Sequence, residues 1–464
     1  MLITQDWARD MKTYLFFIAL LFGWPQVAAR AETLERTLAN GLKVIVKEDH
    51  RAPVVVQQIW YKTGSMDERT GVTGIAHVLE HLMFKGTKAV PAGEFSRRIA
   101  AAGGRENAFT SYDYTAYFQQ LHKSKLPLAM QLESDRMRNL NLSAAEFAKE
   151  IKVVMEERRW RTDDEAHALL QEKMMAAIFQ EHPYHHPVIG WMNDLEMLTV
   201  GDAKAWYDRW YAPNNATLVI AGDVKAAEVF VLAQRYYGAI PKRVQPPRRN
   251  YAEPEQAGIK RLVVKAPAEL PYLVMSFHAP TLKNPEQDWK PYALEILAGV
   301  LDGNESARLN KHLVREQQVA SNAGAGYDAA SRGPSLFTLE ATPSEGKTVI
   351  DAEMALRQEI ALLVKDGVSK EELTRVKAQV TAGEVYKLDS VFYQAMQIGQ
   401  LESIGLNYRV IPVMLKKLQA VTAEQVQQVA EEFLRDDNLT VAVLDPQPLS
   451  AKPKHKAEGD FHAH

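Results

Sequence analysis

The chain repeats itself once. Leu198-Thr199-Val200 opens a helical pattern that leads to Asn215-Ala-Thr-Leu-Val-Ile220. Much later, Leu418 to Thr422 opens another, leading to Asn438-Leu-Thr-Val-Ala-Val443. The offset is 221 residues at the valine (Val200, Val421) and 223 at the asparagine. A unit of that length is a domain, far longer than the repeat of a solenoid. At 464 residues there is room for two such units, each large enough to bury its own core.

Each half mixes two periods. Leu42 to Val46, Val54 to Trp60, Leu218 to Ala221 and Leu439 to Val443 read as strands, short and rich in β-branched residues. Long helical patterns lie between them, at Ala144 to Arg161 and Ser369 to Tyr386, with apolar residues at three- and four-residue spacing. The expected fold class is α+β: two homologous domains, each a mostly antiparallel sheet with helices packed on one face. Ile240 to Gly258 holds Pro241, Pro246, Pro247 and Pro254 amid charge, a density that resists helix and strand interiors. The expected division is a leader at 1–31, a first domain at 32–243, a linker at 244–258, a second domain at 259–447 and a disordered tail at 448–464.

The leader reading rests on Lys12, the apolar run Leu15 to Trp24, and Ala29-Arg30-Ala31. These form a charged start, a short apolar stretch and a small-residue cleavage site. Met1 and Met11 are both candidate starts, since residues 1–10 resemble no targeting element. The run falls short of the ~20 apolar residues that span a bilayer. Hence the protein is expected to be periplasmic or secreted, with no stable membrane insertion after cleavage. A net charge of -3 argues against a broadly basic nucleic-acid binder. The chain has no cysteine, which excludes disulfides, thiolate zinc sites and cysteine nucleophiles. Any transition metal must therefore sit on His, Asp or Glu.

One helix satisfies that demand. In Gly74-Ile-Ala-His77-Val-Leu-Glu80-His81-Leu-Met-Phe84, the residues Ile75, Val78, Leu79, Leu82 and Met83 form an apolar stripe. At about 100° per residue, His77, Glu80 and His81 fall opposite it. Histidines one turn apart can converge on one cation. A free carboxylate beside them can take a proton from metal-bound water, whose pKa falls to roughly 7 on zinc. His77-x-x-Glu80-His81 is the inverted zinc-peptidase pattern. A third ligand is needed, with one position left open. Glu150, Val153, Val154 and Glu157 share one helical face, and carboxylates on an apolar stripe are costly unless paired or metal-bound. Glu156 points away, so Glu157 is the candidate; Arg161, four residues on, could pair with it instead.

With these residues in view, the sequence resembles the pitrilysin/insulinase family of zinc peptidases, on the branch that includes mitochondrial processing peptidase. The spacing of 76 residues from His81 to Glu157 matches the family's distance to its third ligand. Gly64-Ser65, Glu106-Asn107-Ala108-Phe109-Thr110, His182-Pro183-Tyr184 and Pro187-Val188-Ile189-Gly190 resemble family segments around the active site. The resemblance implies two homologous domains forming half a clam-shell, and one zinc per chain held by His77, His81 and Glu157. It makes Glu80 the general base and Glu150 a second acidic residue supporting the site. It places Asn107, Ala108 and Phe109 near an edge strand to which an extended peptide adds by main-chain pairing.

One departure bears on assembly. The family's second domain often carries an Arg followed seven residues later by a Tyr, which stabilise the oxyanion. Here Arg315 stands in a similar stretch, but position 322 is Asn, Ser321 stands beside it, and Tyr327 comes five residues late. In paired-subunit relatives one chain holds zinc and its partner supplies the Arg and Tyr. The expected partners are therefore extended peptide substrates and either a homologous subunit or a second copy in a homodimer. The alternative is a non-catalytic scaffold or peptide-binding subunit of the same family; a chaperone-like binder that captures peptide without consuming it is a further one. Trp206, Tyr207, Trp210 and Tyr211 read as helix packing, Met174-Met175 as core, His185-His186 as loop, and Arg158 to Arg161 as a solvated helix end.

Overall fold

The computed structural model describes residues 33–449; the leader and nearly all of the expected tail lie outside the described residues. The first sheet has six strands: β1 (Thr33–Thr37), β2 (Lys43–Glu48), β3 (Val54–Tyr61), β4 (Arg105–Thr110), β5 (Thr115–His122) and β6 (Ala216–Gly222). Their order is β1-β2-β6-β3-β5-β4. The second has five: β7 (Lys260–Pro267), β8 (Tyr272–Ala279), β9 (Ala320–Tyr327), β10 (Ser335–Pro343) and β11 (Leu439–Gln447), in the order β7-β11-β8-β10-β9. Only β2/β6 and β7/β11 run parallel; the other pairs are antiparallel. The second sheet thus repeats the first without β1, and among the described residues both β4 and β9 are free edges.

The repeated sequence marks have repeated structural work. Thr199 and Thr422 each cap a helix with a reciprocal box, to Asp202 and Gln425, which satisfies amides that helical turns leave open. Asn215 and Asn438 each donate back to the carbonyl five residues earlier, of Trp210 and Phe433, at 3.0 Å. The same turn therefore launches β6 and β11.

Each domain's own helices cover one face of its sheet. Helix α1 (Ile75–Leu82) sets Ile75, Val78, Leu79 and Leu82 into one buried cluster with Val44, Ile59 and Leu218. Helix α2 (Ala144–Arg158) lies beside it. The opposite faces are covered by exchange. Helix α3 (Ala166–Ile178), from the first half, puts Leu170, Met174 and Ile178 on Val264, Val274 and Leu444 of the second sheet. In the second half, helices α4 (Lys290–Asp302) and α5 (Lys370–Lys387) belong to their own core, whereas α6 (Val391–Ser403) lays Ala395 and Ile398 on Ile45, Val56, Trp60 and Val219. Gly399 of α6 is required there, because a Cβ would stand 2.1 Å from the Trp60 ring. Burying large apolar side chains contributes roughly 1.5–3 kcal/mol each, so these exchanges bind the halves together. The turns after β4 and β9 also meet: Arg332 forms a two-pronged pair with Asp67 at 2.8 and 3.0 Å, and its amide donates to Asp113.

Residues 241–259 form no helix or strand, yet the segment is anchored. Arg248 pairs with Asp67, and Glu253 accepts the amides of Gln180, Glu181 and His182. No helix of the described residues is long and apolar enough to cross a membrane.

Candidate metal and peptidase centre

Helix α1 begins under tight constraint. Gly74 caps it at φ +86°, and a Cβ there would meet the Ile189 carbonyl at 2.6 Å. Gly190 is equally confined, 2.5 Å from the Thr73 carbonyl. The Pro187–Gly190 segment is therefore the wall behind the start of α1. Gly74 offers no side chain to the first amides, so Glu68 does: it accepts from Gly74 and Ala76 at 2.9 and 2.8 Å. A buried carboxylate at a helix N-terminus satisfies open donors and complements the dipole. Nothing in the sequence pattern singled out Glu68, because its role depends on a loop folding back.

From this start the apolar stripe is buried and the opposite face carries the chemistry. His77, His81 and Glu157 each offer a ligand atom, all within 4.8 Å of one another. Glu157 Oε2 lies 3.2 Å from His81 Nε2 and 3.8 Å from His77 Nε2. The question of whether Glu157 serves the histidines or Arg161 has a double answer. Its other oxygen, Oε1, pairs with Arg161 at 2.6 Å. Glu156 points elsewhere, to Arg159.

Glu150 Oε1 sits 2.9 Å from His81 Nδ1, and its second oxygen holds Lys85 at 2.6 Å. A carboxylate behind a ligating histidine fixes the ring's tautomer and leaves Nε2 to face the site. The electrostatics favour positive charge. Burial works against a charged His81, yet Glu150 and Glu157 raise it to about 9. Burial likewise opposes charge on Glu157, but the histidines and Arg161 hold it down to about 2. Two nitrogens and one carboxylate, with a supporting acid behind, suit a zinc site that keeps one position open. The residues fit the metal.

Glu80 is buried beside this group. Burial pushes its carboxyl up to about 7, partly offset by a hydrogen bond from the Thr110 hydroxyl. Thr110 is the last residue of the free edge strand β4, so the edge ends on the acid. The segment Glu106 to Thr110 carries the resemblance in sequence, but this contact depends on the end of β4 meeting α1. Along the same strand the Asn107 side chain accepts from the Ala108 amide at 2.7 Å, Ala108 is buried in the core, and Phe109 stands edge-on to Trp60.

Arg315 is exposed in the second domain, on the π-helical turn Asn310–Glu316, with no hydrogen bond or ion pair among the described residues. The Tyr327 hydroxyl donates to the Pro280 carbonyl while its ring stacks on Phe337. Arg158 corrects the expectation of a solvated helix end. α2 stops there, a π-helical turn follows at Arg159–Asp163, and Arg158 is buried. It holds Glu172 in a fork and donates to the Gly190 carbonyl. The residue is polar in sequence but its partners come from α3 and the loop behind α1.

The comparisons agree with this geometry. Residues 43–191 match the insulinase domain of peptidase family M16, and residues 197–380 match the M16 inactive domain. The zinc protease PqqE of Helicobacter pylori is 31% identical over 427 residues, covering 88% of this chain and 92% of its own. The chain belongs to the M16 peptidase family. A crystal structure of a protease from H. pylori is 28% identical with a TM-score of 0.84, covering 90% of this chain and 100% of that one. The Escherichia coli periplasmic protease PqqL shares the fold at 18% identity and a TM-score of 0.77; the match covers 89% of this chain and 48% of that longer one. With His77-x-x-Glu80-His81 in place on α1, this M16 chain is a metalloendopeptidase of the inverted-motif type.

Proposed function

We propose that the protein is a zinc endopeptidase that cuts unstructured peptides in extended conformation, and the zinc-bearing subunit of a pair. The observation that carries this is the meeting of three elements. The His77, His81 and Glu157 donors, the buried Glu80 and the end of the free edge strand β4 all come together at one place.

Zinc, when bound, supplies Lewis acidity and a water acidified to roughly pKa 7. The protein's residues do the rest. Thr110 donates to Glu80 Oε2 and leaves Oε1 to accept the proton and later return it to the leaving amine. A carboxyl poised near neutrality suits both transfers. A peptide that pairs with β4 runs its backbone toward Glu80. Such pairing favours unfolded chains, whose amides and carbonyls are free. Asn107, Ala108 and Phe109 belong to this binding edge.

The paired-subunit reading draws on the second domain. Tyr327 is committed to Pro280 and Phe337, whereas Arg315 is exposed and has no ion pair among the described residues. An oxyanion donor supplied by a homologous subunit, or by a second copy, meets that shortage. The likeness to the mitochondrial-processing-peptidase branch belongs to this proposal. So do the domain limits 32–243 and 259–447, with the linker at 244–258, and a periplasmic or secreted location supported by the leader-like run at 15–24 and by the fold shared with periplasmic PqqL.

The test is hydrolysis of a quenched, unstructured peptide library by the zinc-loaded chain alone, with Glu80→Gln as the blank. No turnover despite bound zinc, restored by a homologous subunit, is the expected result for a heteromeric pair. Turnover by the chain alone places the donor within it or its homodimer. Neither zinc nor turnover under any pairing overturns the enzyme reading in favour of a scaffold.

A further inference from the structure

The second domain has a cavity where the first has its catalytic centre. Strand register establishes the equivalence. Tyr61 pairs with Ala216 and Thr115, and Thr115 pairs with Thr110. In the second sheet Phe277 pairs with Leu439 and Phe337, and Phe337 pairs with Tyr327. Tyr327 therefore stands at the position of Thr110. Glu295, on α4, lies eighteen residues beyond Phe277, as Glu80 lies nineteen beyond Tyr61. At this place a cavity of about 360 Å³ is lined by both Glu295 and Tyr327.

Glu295 is the anomaly. It is enclosed by protein except for the partial exposure the cavity gives it. No hydrogen bond or ion pair reaches it among the described residues. Burial pushes its carboxyl up to about 7, Glu384 and Asp328 push the same way, and Lys387 only partly opposes them. Lys387 is already held by Glu384 at 2.6 Å, and the Tyr327 hydroxyl is given to Pro280. An enclosed carboxyl with no donor is costly, so something about this place keeps it. Asp328, Glu384 and Lys387 line it too, the apolar part of the wall is Met396, Leu401 and Met414, and Tyr393 adds a second aromatic ring. Among the described residues, the only group with metal-site geometry is the one in the first domain.

We propose that this cavity binds an organic cation, an ammonium or guanidinium on an apolar stem, with its charge on Glu295 and its stem against Met396, Leu401 and Met414. The volume falls within the range of small-ligand sites, and the rings of Tyr327 and Tyr393 attract a cation as well. The cation has two possible sources. One is a free amine. The other is a Lys or Arg side chain of a peptide running along the free edge strand β9, which ends at Tyr327; this second source rests on the peptidase reading.

The test is calorimetric titration of the zinc-loaded full chain with n-butylguanidinium and n-butylammonium, with 1-butanol as the neutral control. Saturable binding of the cations at pH 8 is expected, weakening toward pH 6 as Glu295 takes up a proton. Glu295→Gln should weaken it roughly tenfold or more. Met414→Phe, which fills the wall without touching charge, should also weaken it while thermal unfolding stays cooperative in both variants. No saturable binding at millimolar cation, equal binding to Glu295→Gln, or equal binding of butanol overturns the proposal. In a Glu80→Gln background, peptides with one Arg or one citrulline separate the sources. Preference for Arg that disappears in Glu295→Gln assigns the peptide side chain. Indifference between the two, with butylammonium still bound, assigns a free amine. Because titration needs no turnover, failure here and failure of the peptidase reading are separately visible.

Discussion

In the first domain the helix after β3 presents His77, Glu80 and His81, and a neighbouring helix answers with Glu150 and Glu157. In the second domain the helix after β8 presents Glu295 to a cavity, and a neighbouring helix answers with Glu384 and Lys387. The strand order and register are shared, as are the capping boxes that introduce β6 and β11. The frame is therefore set by turns, caps and apolar alternation, and a handful of positions on it determines the chemistry. Thr110 and Tyr327 show this at one register position: the first donates to the buried Glu80 carboxyl, the second to a backbone carbonyl.

The domains also differ in how they hold charge. Arg136 and Glu133, behind α1, are almost completely buried, at 2% and 0% side-chain exposure. Arg136 lies over the rings of Phe95 and Tyr117. Removing one partner strands the other, so Arg136→Ala should cost about 3–5 kcal/mol in denaturant unfolding. A loss under about 1 kcal/mol would show that the first domain does not depend on this pair. A smaller effect is expected at Glu150. Glu150→Gln should keep the fold and weaken zinc roughly 10- to 100-fold, measured by competition with a chelator. Unchanged affinity would remove Glu150 from behind His81. An Arg–Glu pair of the second domain is milder. Arg308 and Glu372 are still partly exposed, and Arg308→Ala should cost only about 1–2 kcal/mol. A cost equal to that of Arg136→Ala would erase the contrast between the domains.

Much of this was legible in the sequence because it rests on local periods. The stripe Ile75, Val78, Leu79 and Leu82 fixes which side of α1 is buried, and so which side carries His77 and His81. Glu157 was legible for a related reason, as an acid on an apolar helical face. What escaped depends on contacts between distant segments. The Glu68 cap on α1 needs a loop to fold back, and the Thr110 contact needs the end of β4 to meet α1. The exchange of α3 and α6 between sheets was hidden because an amphipathic pattern says that a face is buried, not against what. Arg158 shows the same limit from the other side: a charge beside charges looks solvated until its partners Glu172 and Gly190 are brought to it.

The central claim is that the first domain carries a metal centre in which ligands and base are separate residues. Zinc content per chain, measured on the parent, His77→Ala and Glu80→Gln after dialysis against metal-free buffer, tests it directly. The account predicts about one zinc in the parent and in Glu80→Gln, and a near-complete loss in His77→Ala. Stoichiometric zinc retained by His77→Ala, or none in a folded parent, would contradict it.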